Sequence, residues 1–384
     1  TCLAAALGSL LMGLIANYPI GLAPGMGLNA FFAFTVVGTL GYTWQQALGL
    51  VFVSGCLFLA LTVTGARRWL VDGIPPALRC GTAAGIGLFL GLIGLQKAGL
   101  VVAQPQTLVT LGDLHRPEPL LALGGLLLIG VLEARKVRGA ILLGILAVTL
   151  AAWALGLVHY QRLVAWPPSL APTFLQLDIA GALRGHGAGS ALGAVLHVVL
   201  VFVLVEMFDA TGTLMGVAQR AGLMTTPAQR RQFDRALFAD SSAILAGSLL
   251  GTSSTTAYVE SAAGVQVGGR TGLTALVVAA LFLLALLFSP LAAMVPAYAT
   301  APALIYLAAA MLREIVHVRW DDLTESLPAA ICALAMPLTY SIATGLAFGF
   351  VTYAVLKLGS GRRREVHVAT WAIAALFVLR HALE

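Results

Sequence analysis

Apolar residues run along this chain in long blocks rather than at the spacing of an amphipathic surface helix. A hydrocarbon core about 30 Å thick takes about 17–25 such residues per helical crossing. Candidate spans fall near 2–17, 30–40, 45–64, 81–103, 118–133 and 139–158. A second set falls near 190–217, 236–250, 255–268, 271–289, 296–313, 326–340 and 341–358. A last apolar segment, 367–383, follows the basic run Gly361-Arg362-Arg363-Arg364. Its pattern fits a span and an interfacial helix equally.

Two stretches break the pattern, 22–32 (LAPGMGLNAFF) and 251–264 (GTSSTTAYVESAAG). Both are small and polar, and the segments after them, 30–40 and 255–268, are too short to span alone. Irregular backbone at membrane depth is tolerated only where protein or a water-filled cavity surrounds it. A pair of such breaks in two halves of a membrane protein points to a transporter binding site. The longest polar connection, 160–189, holds Trp166-Pro167-Pro168 and Gly185-His186-Gly187 and is the expected boundary between the halves. Half two carries one leading span more than half one, so a matching span before Thr1 is expected. Residues 1–17 read as a span under way, not as a signal peptide.

Composition sharpens this reading. Of 384 residues, 59% are hydrophobic and only 10% charged, against about 25% charged in a soluble domain. The 42 glycines suit membrane helices. The net charge of +6 sits in short loops: Arg67, Arg68 and Arg79; Arg135, Lys136 and Arg138; Arg220, Arg230, Arg231 and Arg235; Arg270; Arg313 and Arg319; Lys357 and Arg362–Arg364. The alternate connections hold only Arg116, Arg162 and Arg184, so the rich set is expected in the cytoplasm. The two sets alternate consistently only if 22–40 and 251–268 each count as one crossing. No basic face with interleaved aromatics appears, which excludes nucleic acid. Cys2, Cys56, Cys80 and Cys332 form no CxxC pair and read as buried free thiols.

Ionisable residues inside spans are costly and mark function by default. Glu206 and Asp209 share one helix face within VFVLVEMFDATGT, and Glu260 follows the second break. All three are expected near mid-membrane. Lys97 lies at a span end and snorkels. In the first break Pro24 lacks a donor, Gly25 and Gly27 permit unusual backbone, and Asn29 is read as opening a helix. Ser253, Ser254, Thr255 and Thr256 are read as N-caps of the second half-helix. Helix N-termini offer free N–H groups and partial positive charge. Facing each other, with Asn29 and carboxylates nearby, they suit a planar, polar, uncharged heterocycle.

Other readings are weaker. Gly25-Met26-Gly27-Leu28-Asn29-Ala30 matches G-x-G-x-x-A, but a dinucleotide site needs a preceding strand and an acid about 20 residues on. The nearest following acid is Asp72. Gly87 and Gly91 form a GxxxG in a chain already rich in Gly. No nucleophile–base or metal-ligand pattern supports an enzyme. An anion exchanger for sulfate or bicarbonate remains the alternative, opposed by three acids at the breaks.

The stretches LAPGMGLNAFFAFTVV, VEMFDATGTLMGVAQRAGL and ALFADSSAILAGSLLGTSSTTAYVESAAGV closely resemble the AzgA-like branch of nucleobase:cation symporters, over nearly the whole chain. The resemblance implies an all-α polytopic uracil-permease-like fold of two inverted seven-segment repeats, its first segment absent here. Short extended pieces would precede the half-helices of segments three and ten. It implies core parts at 1–66 and 190–291, gate parts at 80–160 and 293–358, and a C-terminal piece at 359–384. Gly27 and Asn29 would bind substrate from segment three, Glu206 and Asp209 from segment eight, and Glu260 from segment ten, beside Ser254 and Thr255. The first acid of segment eight is Glu206 where Asp is usual in the branch. Proton-coupled import of hypoxanthine, guanine or adenine by alternating access is the implied function, with Glu206, Asp209 or Glu260 carrying the proton. The expected partners are a purine nucleobase, a proton, the lipid bilayer of the inner membrane and a second copy through the gate. No cofactor, metal or nucleic acid is expected.

Overall fold

The computed structural model describes residues 1–67, 74–158, 164–167, 169–184, 191–223, 227–258, 260–266 and 268–383. The expectations on Arg68, Asp72, Arg162 and Gly185-His186-Gly187 lie outside the described residues. The described residues are mostly helical, with two short two-stranded ribbons among them. Among the described residues, six helices are long and apolar enough to cross a membrane. The chain divides into two units, 1–79 with 168–286 and 347–384, and 80–167 with 287–346.

The first unit opens with α1 (Cys2–Leu11), which continues as a π-turn to Ala16. Asn17 ends it in the left-handed region, φ 52°, which Asn tolerates better than most residues. Its Oδ1 accepts the Gly272 N–H at 2.7 Å, and so caps the start of α11 (Gly272–Ala285). Strand β1 (Leu22–Pro24) then leads into α2 (Met26–Ala30), which runs on as π-helix to Thr39. Helix α3 (Trp44–Val63) starts with a capping box between Thr43 and Gln46.

After α7 (Ile179–Arg184) come α8 (Ala191–Arg220) and α9 (Pro227–Leu249). They lead to β4 (Thr255–Ala257), the short α10 (Ser261–Gln266) and α11. The linker packs closely on this unit. Asp178 N–H donates to Gln45 O, and Leu175 N–H to Leu249 O. A Cβ at Gly49 or Gly251 would collide with its backbone at Asp178 or Thr173. The outward stripe of α11, Leu273, Val277, Leu281 and Leu284, is exposed, as expected of a face turned to lipid.

The second unit holds α4 (Pro76–Lys97, entered from the first), the hairpin β2 (Val101–Gln104) and β3 (Leu108–Leu111), α5 (Pro117–Ala134) and α6 (Ala140–Ala154). It continues with α12 (Ser289–Met294), α13 (Ala297–Leu312), α14 (Leu323–Leu338) and the start of α15 (Ile342–Gly359). Glycines let α4 approach its neighbours. A Cβ at Gly81 would meet Ala329 backbone, and at Gly85 the Met336 sulfur. Gly87 and Gly91 face Ala308 of α13, so the GxxxG is a packing face.

The last helix, α16 (Val368–Leu383), belongs to the first unit. Phe377 packs edge-on against His197 of α8, with centroids 6.0 Å apart.

Several expectations are corrected. The half-helices are 26–39 and 261–266 rather than 30–40 and 255–268. Arg67 is not a surface loop residue: it is 1% exposed, paired with Asp240 at 3.4 Å, and its guanidinium lies 4.2 Å over the Phe58 ring. A charge so deep needs a partner, and Asp240 supplies it. Lys357 is likewise buried, with Nζ donating to Glu365 at 2.9 Å. Lys97 is exposed at the end of α4, as expected.

Candidate functional site

The two polar breaks meet. Strands β1 and β4 pair antiparallel, Leu22 with Ala257, Ala23 with Thr256 and Pro24 with Thr255. The ribbon is held on both sides. Ser9 of α1 donates to Leu22 O and accepts from Leu22 N–H. Gly25 N–H donates to Ser254 O at 3.0 Å, and Tyr258 OH to Pro24 O at 2.7 Å. A helix leaves from each strand, α2 after Pro24 and α10 just beyond β4. Because the strands are antiparallel, the chain leaves them at opposite ends of the ribbon, at Pro24 and at Ala257.

This pairing overturns two local readings. Ser253, Ser254, Thr255 and Thr256 are not N-caps, because α10 begins only at Ser261. Residues 255–256 satisfy their backbone in the ribbon, leaving the preceding serines free to bond elsewhere. Asn29 does not open α2. Gly25, extended at φ −65° and ψ 129°, is the N-cap, and Asn29 N–H closes the first turn on Gly25 O at 2.8 Å. The free N–H groups therefore belong to residues 26–28.

The crossing draws the candidate residues together in part. Glu206, on α8, is buried, and its Oε2 accepts a hydrogen bond from the Ser254 hydroxyl. Its other oxygen, Oε1, has no hydrogen-bond partner. The Ser253 hydroxyl donates to the Asn29 side-chain oxygen. Asp209, one turn beyond Glu206, faces Gly25, where an added Cβ would lie 3.6 Å from its Oδ2. Phe31 and Phe202 stack edge-to-face at 5.0 Å and seal α2 against α8 beside these groups. Gly27 is buried in the first turn of α2. Thr255 points away: its buried hydroxyl faces Gly247 of α9 and makes no hydrogen bond.

Glu260 lies apart from Glu206. It is exposed, and lines a cavity of about 300 Å³ with Pro19, Leu22, Ala23, Tyr258 and Phe282. That volume is at the small end for ligand pockets. Asp209 stands between the two acids, within electrostatic reach of Glu260 and of Asp240. Sequence reasoning missed Asp240. The signal was there, an acid in the span ALFADSSAILAG, but it was read only as part of a motif.

Three comparisons bear on this arrangement. The profile of a permease family, Xan_ur_permease, matches residues 1–348. The chain belongs to the xanthine/uracil permease family. It is 47% identical over 380 residues to the adenine permease AdeP of Escherichia coli strain K12, covering 99% of this chain and 84% of that protein. It is 45% identical over 380 residues to the guanine/hypoxanthine permease PbuG of Bacillus subtilis strain 168, covering 99% and 85%. Among solved structures, the transmembrane domain of the cyanobacterial bicarbonate transporter BicA superposes with TM-score 0.66, at 18% identity and covering 90% of this chain and 88% of that one. At that identity the likeness concerns the fold. This member of the family is thus a multi-pass membrane transporter, not an enzyme.

Proposed function

We propose that this permease imports purine nucleobases by proton symport, through alternating access between its two units. The observation that carries the reading is the crossing, where the Glu206 carboxylate and the Asn29 amide are each held by a serine of the same segment. A carboxylate accepts from ring N–H groups, while an amide and the free N–H groups of residues 26–28 serve the ring's acceptors. Sites built to hydrogen-bond a substrate reject analogues lacking the matching group by wide margins. The names of AdeP and PbuG support purines as the class. Asp209 and Glu260 complete the candidate set, with Gly27, Ser254 and Thr255 shaping the backbone around it.

In this reading the coupling proton resides on Glu206, Asp209 or Glu260. Units near the core boundaries (1–66, 190–291) and gate boundaries (80–160, 293–358) move against each other in an elevator-like step, and copies meet through the gate. The basic loops face the cytoplasm of an inner membrane. The acids at the crossing oppose anion transport despite the fold shared with a bicarbonate carrier.

The test is a competition panel against labelled hypoxanthine and adenine uptake in cells expressing the full-length protein, with and without a protonophore. Unlabelled purines should compete and sulfate and bicarbonate should not. Glu260→Gln should lower uptake. Uptake that sulfate abolishes, or that ignores both the protonophore and Glu260→Gln, would overturn the reading.

A further inference from the structure

The hairpin between α4 and α5 has no part in the crossing. Its strands β2 and β3 pair Val101 with Leu111, Val102 with Thr110, Ala103 with Val109 and Gln104 with Leu108. Residues opposite one another share a face, and faces alternate along a strand. One face therefore carries Val101, Ala103, Val109 and Leu111 and is apolar throughout, while the other carries Val102, Gln104, Leu108 and Thr110. The apolar face is largely open: Val101 is half-buried, but Ala103, Val109 and Leu111 are exposed, Leu111 by 67%. The base of the hairpin is held firmly. Gly112 N–H donates to Leu100 O at 3.0 Å, and a Cβ at Gly112 would collide with Gly99 O. Ala98 packs with Ala122 of α5 and Ala301 of α13.

Charge sets this connection apart from its neighbours. Residues 98–112, AGLVVAQPQTLVTLG, hold no Asp, Glu, Lys, Arg or His, whereas the turn 135–138 is Arg-Lys-Val-Arg and 313–322 holds six ionisable residues, Arg313, Glu314, His317, Arg319, Asp321 and Asp322. Charged side chains are costly only away from water, so a solvated loop has no reason to lack them. They begin at the base, with Lys97 on one side and Asp113, His115 and Arg116 on the other, all exposed. At the tip, Leu108 takes φ 67° and is 77% exposed. That conformation strains a bulky side chain, and turns fill it with Gly or Asn. An isolated two-stranded hairpin is marginal in water, so the open apolar face needs a cover. The exposed apolar surface runs on along the chain through Leu114 into Leu120, Leu123, Leu127 and Val131 of α5, itself one of the membrane-crossing helices.

We propose that the hairpin lies in the headgroup–acyl boundary of the bilayer, with Val101, Ala103, Val109 and Leu111 on phospholipid, and so fixes the depth of the second unit. The charged base then sits at headgroup level, and the outward Leu108 meets acyl chains instead of water. Backbone limits how deep the hairpin goes. Both strands are edges with a row of unpaired N–H and C=O groups, and such groups do not enter hydrocarbon. The hairpin therefore rests in the interface, as amphipathic helices do, and does not cross. The anchor itself does not depend on the transport reading above. Under that reading it adds a frame of fixed depth against which the other unit moves.

The experiment uses the full-length protein in phospholipid nanodiscs holding one copy each, and in liposomes at high protein density. Its native cysteines are replaced, and Val109→Cys, Leu111→Cys or Thr110→Cys carries a polarity-sensitive fluorophore, with Leu127→Cys on α5 as the hydrocarbon reference. A melting transition matching that of wild type controls for folding. At 109 and 111, a nitroxide near the lipid headgroup should quench about threefold more than one at the acyl end, and aqueous iodide about fivefold less than it quenches free dye. Iodide should reach position 110, on the other face, about twofold better than 109. Iodide quenching at 109 and 111 equal to that of free dye would place the hairpin in water and overturn the proposal. Protection from both quenchers would also overturn it, by showing a protein cover, and protection only in dense liposomes would name a second copy as that cover. The unmodified protein supplies a check without substitution. A phospholipid with a diazirine near its headgroup should label 101–111 on illumination, and one with the diazirine at the acyl end should not. No label from the first, or equal label from both, contradicts the interfacial placement.

Discussion

At Gly25 the start of α2 meets Asp209 of α8 and Thr256 of β4. A Cβ there would lie 2.9 Å from the Thr256 methyl, and its backbone is in ordinary extended space, so the obstacle is steric alone. Gly25→Ala should lower purine uptake about tenfold, and Thr256→Ser, which removes that methyl, should restore most of it in the double variant. Uptake assays on the pair check this, and absence of rescue would place the defect elsewhere. Ser254 is the other informative residue, because its hydroxyl, just ahead of β4, donates to Glu206. Ser254→Ala leaves both oxygens of a buried carboxyl unpaired, which costs about 1–3 kcal/mol. Its effect should appear as a raised KM for uptake at normal protein levels. Glu206 and Asn29 were legible as chemistry because polar residues in apolar runs stand out. Their serine partners were legible as a polar cluster but not by role, since hydroxyl direction depends on the pairing of strands far apart in the chain, Leu22 with Ala257 and Pro24 with Thr255.

At the scale of elements, most long apolar spans were read within a few residues, but α9 starts at Pro227 rather than 236, and 81–103 ran past the end of α4 at Lys97 into β2. The capping box at Thr43 shows how directly local sequence can mark a helix start. The ribbon was harder. Three-residue strands carry no periodicity, so the sequence showed two breaks but not that they hydrogen-bond each other. The C-terminal helix α16 was ambiguous for a different reason, as its apolar face fits lipid, headgroups or protein. It is tethered by Glu365, which accepts from Arg362 Nε at 2.8 Å and from Lys357 Nζ at 2.9 Å. Arg362, then Lys357, holds the Glu365 carboxyl down to about 2 from its ordinary 4.5. Since the folded value is the lower one, the tether is fully present above about pH 4.5 and is lost as pH falls towards 2. Hydrogen exchange in α16 should therefore be unchanged between pH 7 and pH 5 after correction for intrinsic rates, and Glu365→Gln should speed it at pH 7. Protection already falling by pH 5 in the wild type would contradict the tether.

For the whole molecule, burial of charge is the feature that composition concealed. Counting Arg67 with the loop bases gave a sensible charge pattern while hiding a buried ion pair, because one residue at a span end can turn either way. Removing one partner of such a pair strands the other and costs about 3–5 kcal/mol, whereas replacing both by apolar residues is often near neutral. Arg67→Met should thus lower thermal stability in detergent more than Arg67→Met with Asp240→Leu, and equal losses would argue that the two do not act as a pair. The polar crossing is the other whole-chain feature, since it joins segments from both halves in one site. The most direct measurement of its role is saturable uptake of labelled adenine and hypoxanthine by the purified full-length protein in proteoliposomes, wild type beside Glu206→Gln. The account predicts uptake competed by unlabelled purine and reduced about a hundredfold or more by the substitution, a loss of about 2.7 kcal/mol. Absence of purine uptake by the wild type, or uptake undiminished in Glu206→Gln, would contradict it.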